Sequence, residues 1–132
     1  MVRDRLNDGV RIAQLLASEI VGNRGRLRAL DVTDADPDVD PTADGALAYA
    51  VVRESATGTD ASAETAFDRV AEAYVQPDRV RVEFLVAVEA VAAAADAADL
   101  RVRPKAVRPP RTLVFLEDGA AVKRILSVLE TV

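Results

Sequence analysis

A proline–aspartate pair at the centre of residues 69–84 is the feature that most restricts what this chain can fold into. Pro77 and Asp78 occupy the positions that these residue types prefer in a type I turn. When the flanking residues are paired across this turn, every second pair is apolar; these pairs are Val75–Val80, Ala73–Val82 and Ala71–Phe84. A half-buried hairpin requires such alternation, because successive side chains of a strand point to opposite faces. The segment therefore predicts two antiparallel strands.

A competing interpretation makes residues 63–74 a helix. Apolar residues in this stretch also follow the helical period; they are Ala63, Phe67, Val70, Ala71 and Tyr74. The pattern alone leaves both interpretations open, and we favour the hairpin because its turn chemistry and its apolar pairing agree.

Three further segments have the apolar periodicity of helices, over residues 3–21, 85–98 and 119–130. Gly22 ends the first segment, and Asp118 is placed to cap the last one. The middle segment is rich in alanine and has only a narrow polar stripe, so we expect most of its surface to be covered.

Four short apolar segments add candidate strands to the hairpin, over residues 27–32, 46–53, 100–102 and 112–116. Strands and helices together predict the α+β class: an antiparallel or mixed sheet of about five to six strands with two to three helices packed on it. A length of 132 residues is typical of a single domain, so we expect residues 1–132 to form one.

The chain contains neither cysteine nor histidine. Disulfides, cysteine-ligated zinc and the Ser-His-Asp and Cys-His forms of catalysis are therefore excluded within it. Neither a Walker loop nor a GxGxxG motif occurs, so we expect no cofactor, and binding is a better prediction than enzymatic activity. No apolar run reaches the roughly 18 residues of a transmembrane helix, and the charged residues 3–5 do not resemble a signal peptide. We expect a cytoplasmic protein without membrane contact.

An otherwise acidic chain, of net charge −5, concentrates positive charge in one segment. Residues 101–111, here called the basic strip, contain three prolines, no carboxylate and five cations: Arg101, Arg103, Lys105, Arg108 and Arg111. The strip predicts a proline-stiffened, extended docking site for an acidic partner protein or a phosphate-bearing ligand. Aromatic residues do not alternate with these cations, so we do not expect nucleic acid as a partner. The alternative is that the cations pair with carboxylates of the same protein.

Alternating aspartates between residues 34 and 44 invite comparison with a calcium-binding loop. Asp34, Asp36 and Asp38 have the spacing of the first three EF-hand ligands. However, Val39 stands where that loop needs glycine, and Gly45 stands where it needs a bidentate glutamate. We therefore expect a solvated acidic loop and no metal site.

Two alternative functions remain open. Glu72 and Glu83 would face each other on the polar side of the hairpin, and burial of one carboxyl would raise its pKa and suit it to general acid catalysis. The competing expectation is that Arg81 bridges the two carboxylates in solvent. The second alternative is a structural role, in which apolar surface forms a homodimer and binds no ligand.

Two segments resemble small uncharacterised haloarchaeal proteins: YVQPDRVRVEF at residues 74–84 and LRVRPKAVRPPRTLVFLEDGAAVKRIL at residues 100–126. That group has no assigned activity, cofactor or catalytic residues, so the resemblance implies a halophilic setting and no function. The composition agrees, because acidic residues number 22 against 17 basic ones, of which only Lys105 and Lys123 are lysines. The alternative is a GC-rich genome, which also favours alanine, valine, arginine and aspartate.

A halophilic protein should be more stable in concentrated salt. At molar KCl the Debye length falls to about 3 Å, which screens the repulsion among surface carboxylates. We expect the melting temperature, followed by circular dichroism, to rise between low-salt buffer and molar KCl. Equal melting temperatures in the two buffers would contradict the halophilic interpretation.

Overall fold

The computed structural model describes residues 8–23, 27, 29–54 and 67–132. Within these ranges the chain forms three helices and one antiparallel sheet of six strands in the order β1-β2-β3-β4-β6-β5. The elements are α1 (Gly9–Gly22), β1 (Leu30–Thr33), β2 (Ala46–Glu54), β3 (Phe67–Gln76), β4 (Arg79–Phe84), α2 (Val88–Ala97), β5 (Arg101–Lys105), β6 (Arg111–Leu116) and α3 (Gly119–Leu129). The predicted α+β class is confirmed.

The hairpin of β3 and β4 occupies the centre of the sheet with the predicted register. Its apolar pairs Ala71–Phe84, Ala73–Val82 and Val75–Val80 are all present, with Glu72 opposite Glu83 between them. The helical interpretation is wrong over residues 67–74, and residues 63–66 lie outside the described part of the chain. Tertiary pairing decides this case, because β3 pairs with both β2 and β4, and a helix over these residues would interrupt the sheet between those two strands.

The sheet has two unlike faces. All three helices pack on one face, where the apolar residues of β3, β4 and β6 are fully buried; among them are Val75, Val80, Val82, Phe84, Val114 and Leu116. The opposite face, here called the open face, is covered by none of the described helices. Because side chains alternate along each strand, Glu72 of β3 and the charged residues of β4 and β6 point to the open face.

Aspartates cap the N-termini of two of the described helices, α1 and α3. The carboxylate of Asp8 accepts hydrogen bonds from the Val10 and Arg11 amides, so α1 begins at Gly9, and residues 3–7 of the predicted helix lie outside the described ranges. Asp118 caps α3 as predicted, by accepting from the Ala121 amide at 2.9 Å.

The expectation that most of the alanine-rich helix is covered is wrong. Only Val91 and Ala95 of α2 are fully buried. The physical reason is position: α2 packs on β5 and β6 at one end of the sheet, so it contacts the core with a single stripe.

The basic strip is a hairpin and not an extended ribbon. Arg101 pairs with Phe115 and Lys105 pairs with Arg111, so residues 106–110 form the connecting loop between β5 and β6. Pro104 is accommodated because β5 is an edge strand, where one side needs no hydrogen-bond donors.

No helix in the described part of the chain is long and apolar enough to cross a membrane. In the acidic loop the aspartates at positions 34, 36, 38 and 40 are exposed, and Asp36 accepts a hydrogen bond from the Asp38 amide at 2.9 Å. Within the same described ranges, no group of three or more possible metal ligands occurs.

Gly9 packs directly against the turn between β3 and β4. Its amide donates to the Pro77 carbonyl at 3.1 Å, and a Cβ at this position would overlap the carbonyl oxygen of Gln76. We expect Gly9→Ala to lower the free energy of unfolding by roughly 1–3 kcal/mol, because backbone must shift to make room. Gly22→Ala is the matched control, since a Cβ there meets no atom within 4 Å. Chemical denaturation of both variants tests this, and equal losses would contradict it.

Candidate functional site

The open face brings together charged residues that are distant in sequence. β4 contributes Arg79, Arg81 and Glu83, while β5 contributes Arg101, Arg103 and Lys105. β6 lies between these two strands and adds Arg111, Leu113 and Phe115 to the same face. Six cations thus meet on adjoining strands of a chain whose net charge is −5.

Two carboxylates are buried at the centre of this face. The side chains of Glu72 and Glu83 are only 11% and 1% exposed, and their residues are direct cross-strand neighbours. Arg111 Nη1 lies 2.9 Å from Glu72 Oε1 and 2.9 Å from Glu83 Oε1, so it donates to both. One guanidinium nitrogen therefore bridges two like charges that would otherwise repel each other.

Each carboxylate also accepts hydrogen bonds from other donors. Glu83 accepts from Arg81 Nε at 2.8 Å and from Lys105 Nζ at 3.2 Å. Glu72 accepts from Tyr74 Oη at 2.7 Å and from Arg69 Nη1 at 2.8 Å. Arg69 extends the network toward β1 through Asp34, because its Nη2 lies 2.6 Å from that carboxylate.

These contacts fix the protonation of both glutamates. Burial by itself raises the pKa of Glu83, but hydrogen bonds from Lys105, Arg111 and Arg81 outweigh it, and the pKa is lowered. The pKa of Glu72 is lowered in the same way, because hydrogen bonds from Tyr74, Arg69 and Arg111 outweigh the effect of burial. Both carboxyls are therefore ionised at neutral pH, whereas a general acid needs a raised pKa. The lowered pKa values therefore do not favour the role of general acid that the sequence analysis considered for Glu72 and Glu83.

The expected bridge between the two glutamates is also corrected. Arg111, and not Arg81, joins Glu72 to Glu83. The guanidinium of Arg81 lies over the Tyr74 ring at 4.8 Å, with Nη1 donating to the Asp44 carbonyl at 2.8 Å. These contacts hold Arg81 beside Glu83 and away from Glu72.

The cations of the basic strip differ in whether they form ion pairs with carboxylates of the same chain. Arg111 and Lys105 pair with buried carboxylates, so the alternative of internal neutralisation describes these two. Arg101 Nη1 lies 3.8 Å from Glu117 Oε2, which is beyond hydrogen-bonding distance. Arg103 and Arg108 are exposed, and neither forms an ion pair with any residue that the structure describes.

Two adjoining cavities open around Arg79, Arg103 and Phe115. One has a volume of about 430 Å³ and is also lined by Arg81, Glu83 and Lys105. The other, of about 260 Å³, is also lined by Arg101 and Val102. We call the two together the arginine cleft.

Arg79 is one of the site residues that the sequence analysis missed, together with Arg69 and Glu117. The Arg79 guanidinium lies 5.2 Å from the centre of the Phe115 ring, Nε donates to Gln76 Oε1 at 3.1 Å, and Nη1 is 3.8 Å from Glu117 Oε2. Arg79 is far from the basic strip in sequence, and only the strand order β4-β6-β5 places the two together. The available signal was that Arg79 and Arg81 share the polar face of the predicted hairpin.

Arg111→Met tests how much the contacts of Arg111 with Glu72 and Glu83 contribute to the free energy of unfolding. Removing one partner of a buried ionic network costs roughly 3 kcal/mol of unfolding free energy at neutral pH. Because the pKa values of Glu72 and Glu83 are lowered, their stabilising contribution is present above the usual value near 4.5 and is lost as pH falls through the folded-state pKa. The stability difference between wild type and variant should therefore shrink toward pH 3.

Chemical denaturation at pH 7 and pH 3 measures this difference. Arg108→Met is the matched control, because Arg108 is exposed and contacts neither glutamate. An Arg111→Met variant as stable as the control at pH 7 would contradict the bridging role.

Comparison with known proteins identifies a family for the chain but assigns it no activity. No curated protein and no solved structure matches the sequence. A family model matches residues 1–132, the whole length of the sequence given, and its description is a family of unknown function. The chain therefore belongs to the family of unknown function DUF7993.

Proposed function

We propose that this protein is a non-enzymatic binding module whose arginine cleft receives the anionic group of a partner. The observation that carries the proposal is Arg103. Its side chain is exposed at the cleft and forms no ion pair within the described residues, although the chain as a whole is acidic. An unpaired guanidinium among other cations supports recognition of an oxyanion, because its five donors match carboxylate and phosphate geometry.

Two neighbouring arginines add to this capacity. Arg79 and Arg101 each lie 3.8 Å from the same Glu117 oxygen, and the Glu117 side chain is 50% exposed. Ion pairs at this distance and exposure contribute little to stability. Most donors of both guanidinium groups therefore remain available to a ligand.

The remaining cations of the open face play a different part. Lys105 and Arg111 donate to Glu83, so a ligand would have to compete with a buried carboxylate for them. They strengthen the positive potential of the cleft without serving as direct contacts. Arg108 lies in the loop after β5 and lines neither cavity of the cleft.

The chemistry of the cleft supports an acidic protein segment or a phosphate-bearing molecule as the partner. Nucleic acid is less well supported, because Phe115 and Tyr74, the aromatic residues beside these cations, each have an arginine guanidinium over the ring. We place the protein in a halophilic cytoplasm, which the exposed aspartates of residues 34–44 support. In concentrated salt, affinity would come from short arginine–oxyanion contacts and not from a diffuse field.

A binding titration tests the proposal. In ¹H–¹⁵N spectra of the full chain, sodium pyrophosphate or a glutamate-rich peptide should produce saturable shifts at Arg101, Arg103 and Phe115. The double variant Arg101→Ser/Arg103→Ser should weaken binding at least tenfold, since each charge-assisted contact contributes about 1.5–3 kcal/mol. Lys105 and Arg111 are retained because their loss would leave Glu83 short of donors.

The matched control is Arg11→Ser/Arg108→Ser, which removes the same charge from exposed arginines outside the cleft. It should bind as wild type does. Absence of saturable shifts with both probes, or equal weakening in the control, would contradict the proposed function.

A further inference from the structure

We propose that the arginine cleft binds a small phosphate-bearing molecule and that this ligand displaces Glu117 from Arg79 and Arg101. The inference rests on the proposed function and adds both the chemical class of the ligand and the residue that competes with it.

Two arginines from non-adjacent strands converge on a single point. Arg79 belongs to β4 and Arg101 to the edge strand β5, with β6 between them. Nevertheless Nη1 of each lies 3.8 Å from the same oxygen, Oε2 of Glu117. Such convergence is the arrangement that an anion bridging two guanidinium groups requires, and Glu117 occupies it.

Glu117 fits this position poorly. Charge-assisted hydrogen bonds between nitrogen and oxygen are typically about 2.7–2.9 Å long, and both contacts are longer. The backbone on either side is fixed, because β6 ends at Leu116 and Asp118 caps α3 through the Ala121 amide. A free anion has no such tether, so it can approach both arginines to hydrogen-bonding distance.

Phosphate matches the cleft better than a carboxylate does. Arg79, Arg101 and Arg103 line the smaller cavity together, and three guanidinium groups offer more donors than two carboxylate oxygens accept well. A phosphate has more oxygens and, near neutral pH, close to two negative charges. The larger cavity, of about 430 Å³, lies within the usual size range of small-ligand sites.

Glu117 also gives the cleft a preference among anions. A monovalent anion such as chloride carries the same charge as the Glu117 carboxylate. Exchanging one for the other would therefore gain little free energy. A phosphate or pyrophosphate has more negative charge and more acceptor oxygens than Glu117. The free energy gained from its contacts with the arginines therefore exceeds the free energy lost when the two Glu117 ion pairs break. Glu117 is thus a specificity-determining residue that keeps simple salt anions from the cleft.

Isothermal titration calorimetry of the full chain with sodium pyrophosphate tests the inference. We expect Glu117→Gln to bind pyrophosphate about three- to tenfold more tightly than wild type, since one competing charge is removed from two weak ion pairs. Added chloride should weaken pyrophosphate binding more in this variant than in wild type. Glu117→Asp keeps the charge on a shorter side chain and should give an intermediate affinity.

Glu89→Gln is the matched control, because Glu89 is an exposed glutamate on α2 and, unlike Glu117, forms no ion pair with Arg79 or Arg101. It should leave affinity unchanged within about twofold, and thermal melts should show all variants folded. If pyrophosphate binds wild type and Glu117→Gln equally, the displacement of Glu117 is wrong. If only a glutamate-rich peptide binds, the phosphate assignment is wrong although the proposed function stands. If neither probe binds, the proposed function itself fails.

Discussion

The structure depends on one guanidinium that holds two buried carboxylates together. The antiparallel register places Glu72 directly opposite Glu83, and the described helices leave that face of the sheet uncovered. Arg111 donates to both, and Arg69, Arg81, Lys105 and the Tyr74 hydroxyl supply the remaining contacts, so the carboxylates stay ionised although burial opposes it. The two carboxylates would repel each other if they stood alone, and the surrounding basic side chains offset this repulsion. The central strands can therefore pair although no apolar residues of a helix cover this part of the sheet.

The same network decides which cations of the open face are already paired with carboxylates. Arg111 and Lys105 are held by Glu83, while Arg103 has no ionic partner among the described residues, and Arg79 and Arg101 share a loosely held Glu117. The open face thus has two regions that differ in how their charges are paired. At its centre the cations contact buried carboxylates, and at its β5 edge arginines are exposed to solvent.

Turn chemistry, strand alternation and helix capping predicted correctly those features that depend on residues close together in the sequence. The Pro77–Asp78 turn and the alternation around it predicted the β3–β4 register residue by residue, and Asp118 was identified as a helix cap from chain position alone. They were insufficient for residues 67–74, whose apolar spacing fits both periods, because pairing with β2 decides the outcome. They also overestimated how much of α2 is covered, since coverage depends on where a helix lies on the sheet.

The sequence by itself determined the α+β class, the register that the central hairpin takes, the pairing of Glu72 with Glu83 that follows from this register, and the concentration of cations in residues 101–111. Pairing with β2 decided that residues 67–74 form a strand and not a helix. Only the tertiary structure decided which of those cations form ion pairs with buried carboxylates. It also decided that Arg79 and Arg81 lie beside them on the open face. The physical reason is that pairing within a hairpin follows from neighbouring residues, whereas the partner of a long charged side chain depends on strand order. Because β6 lies between β4 and β5, Arg111 reaches the buried glutamates and Arg79 approaches Arg101 at Glu117.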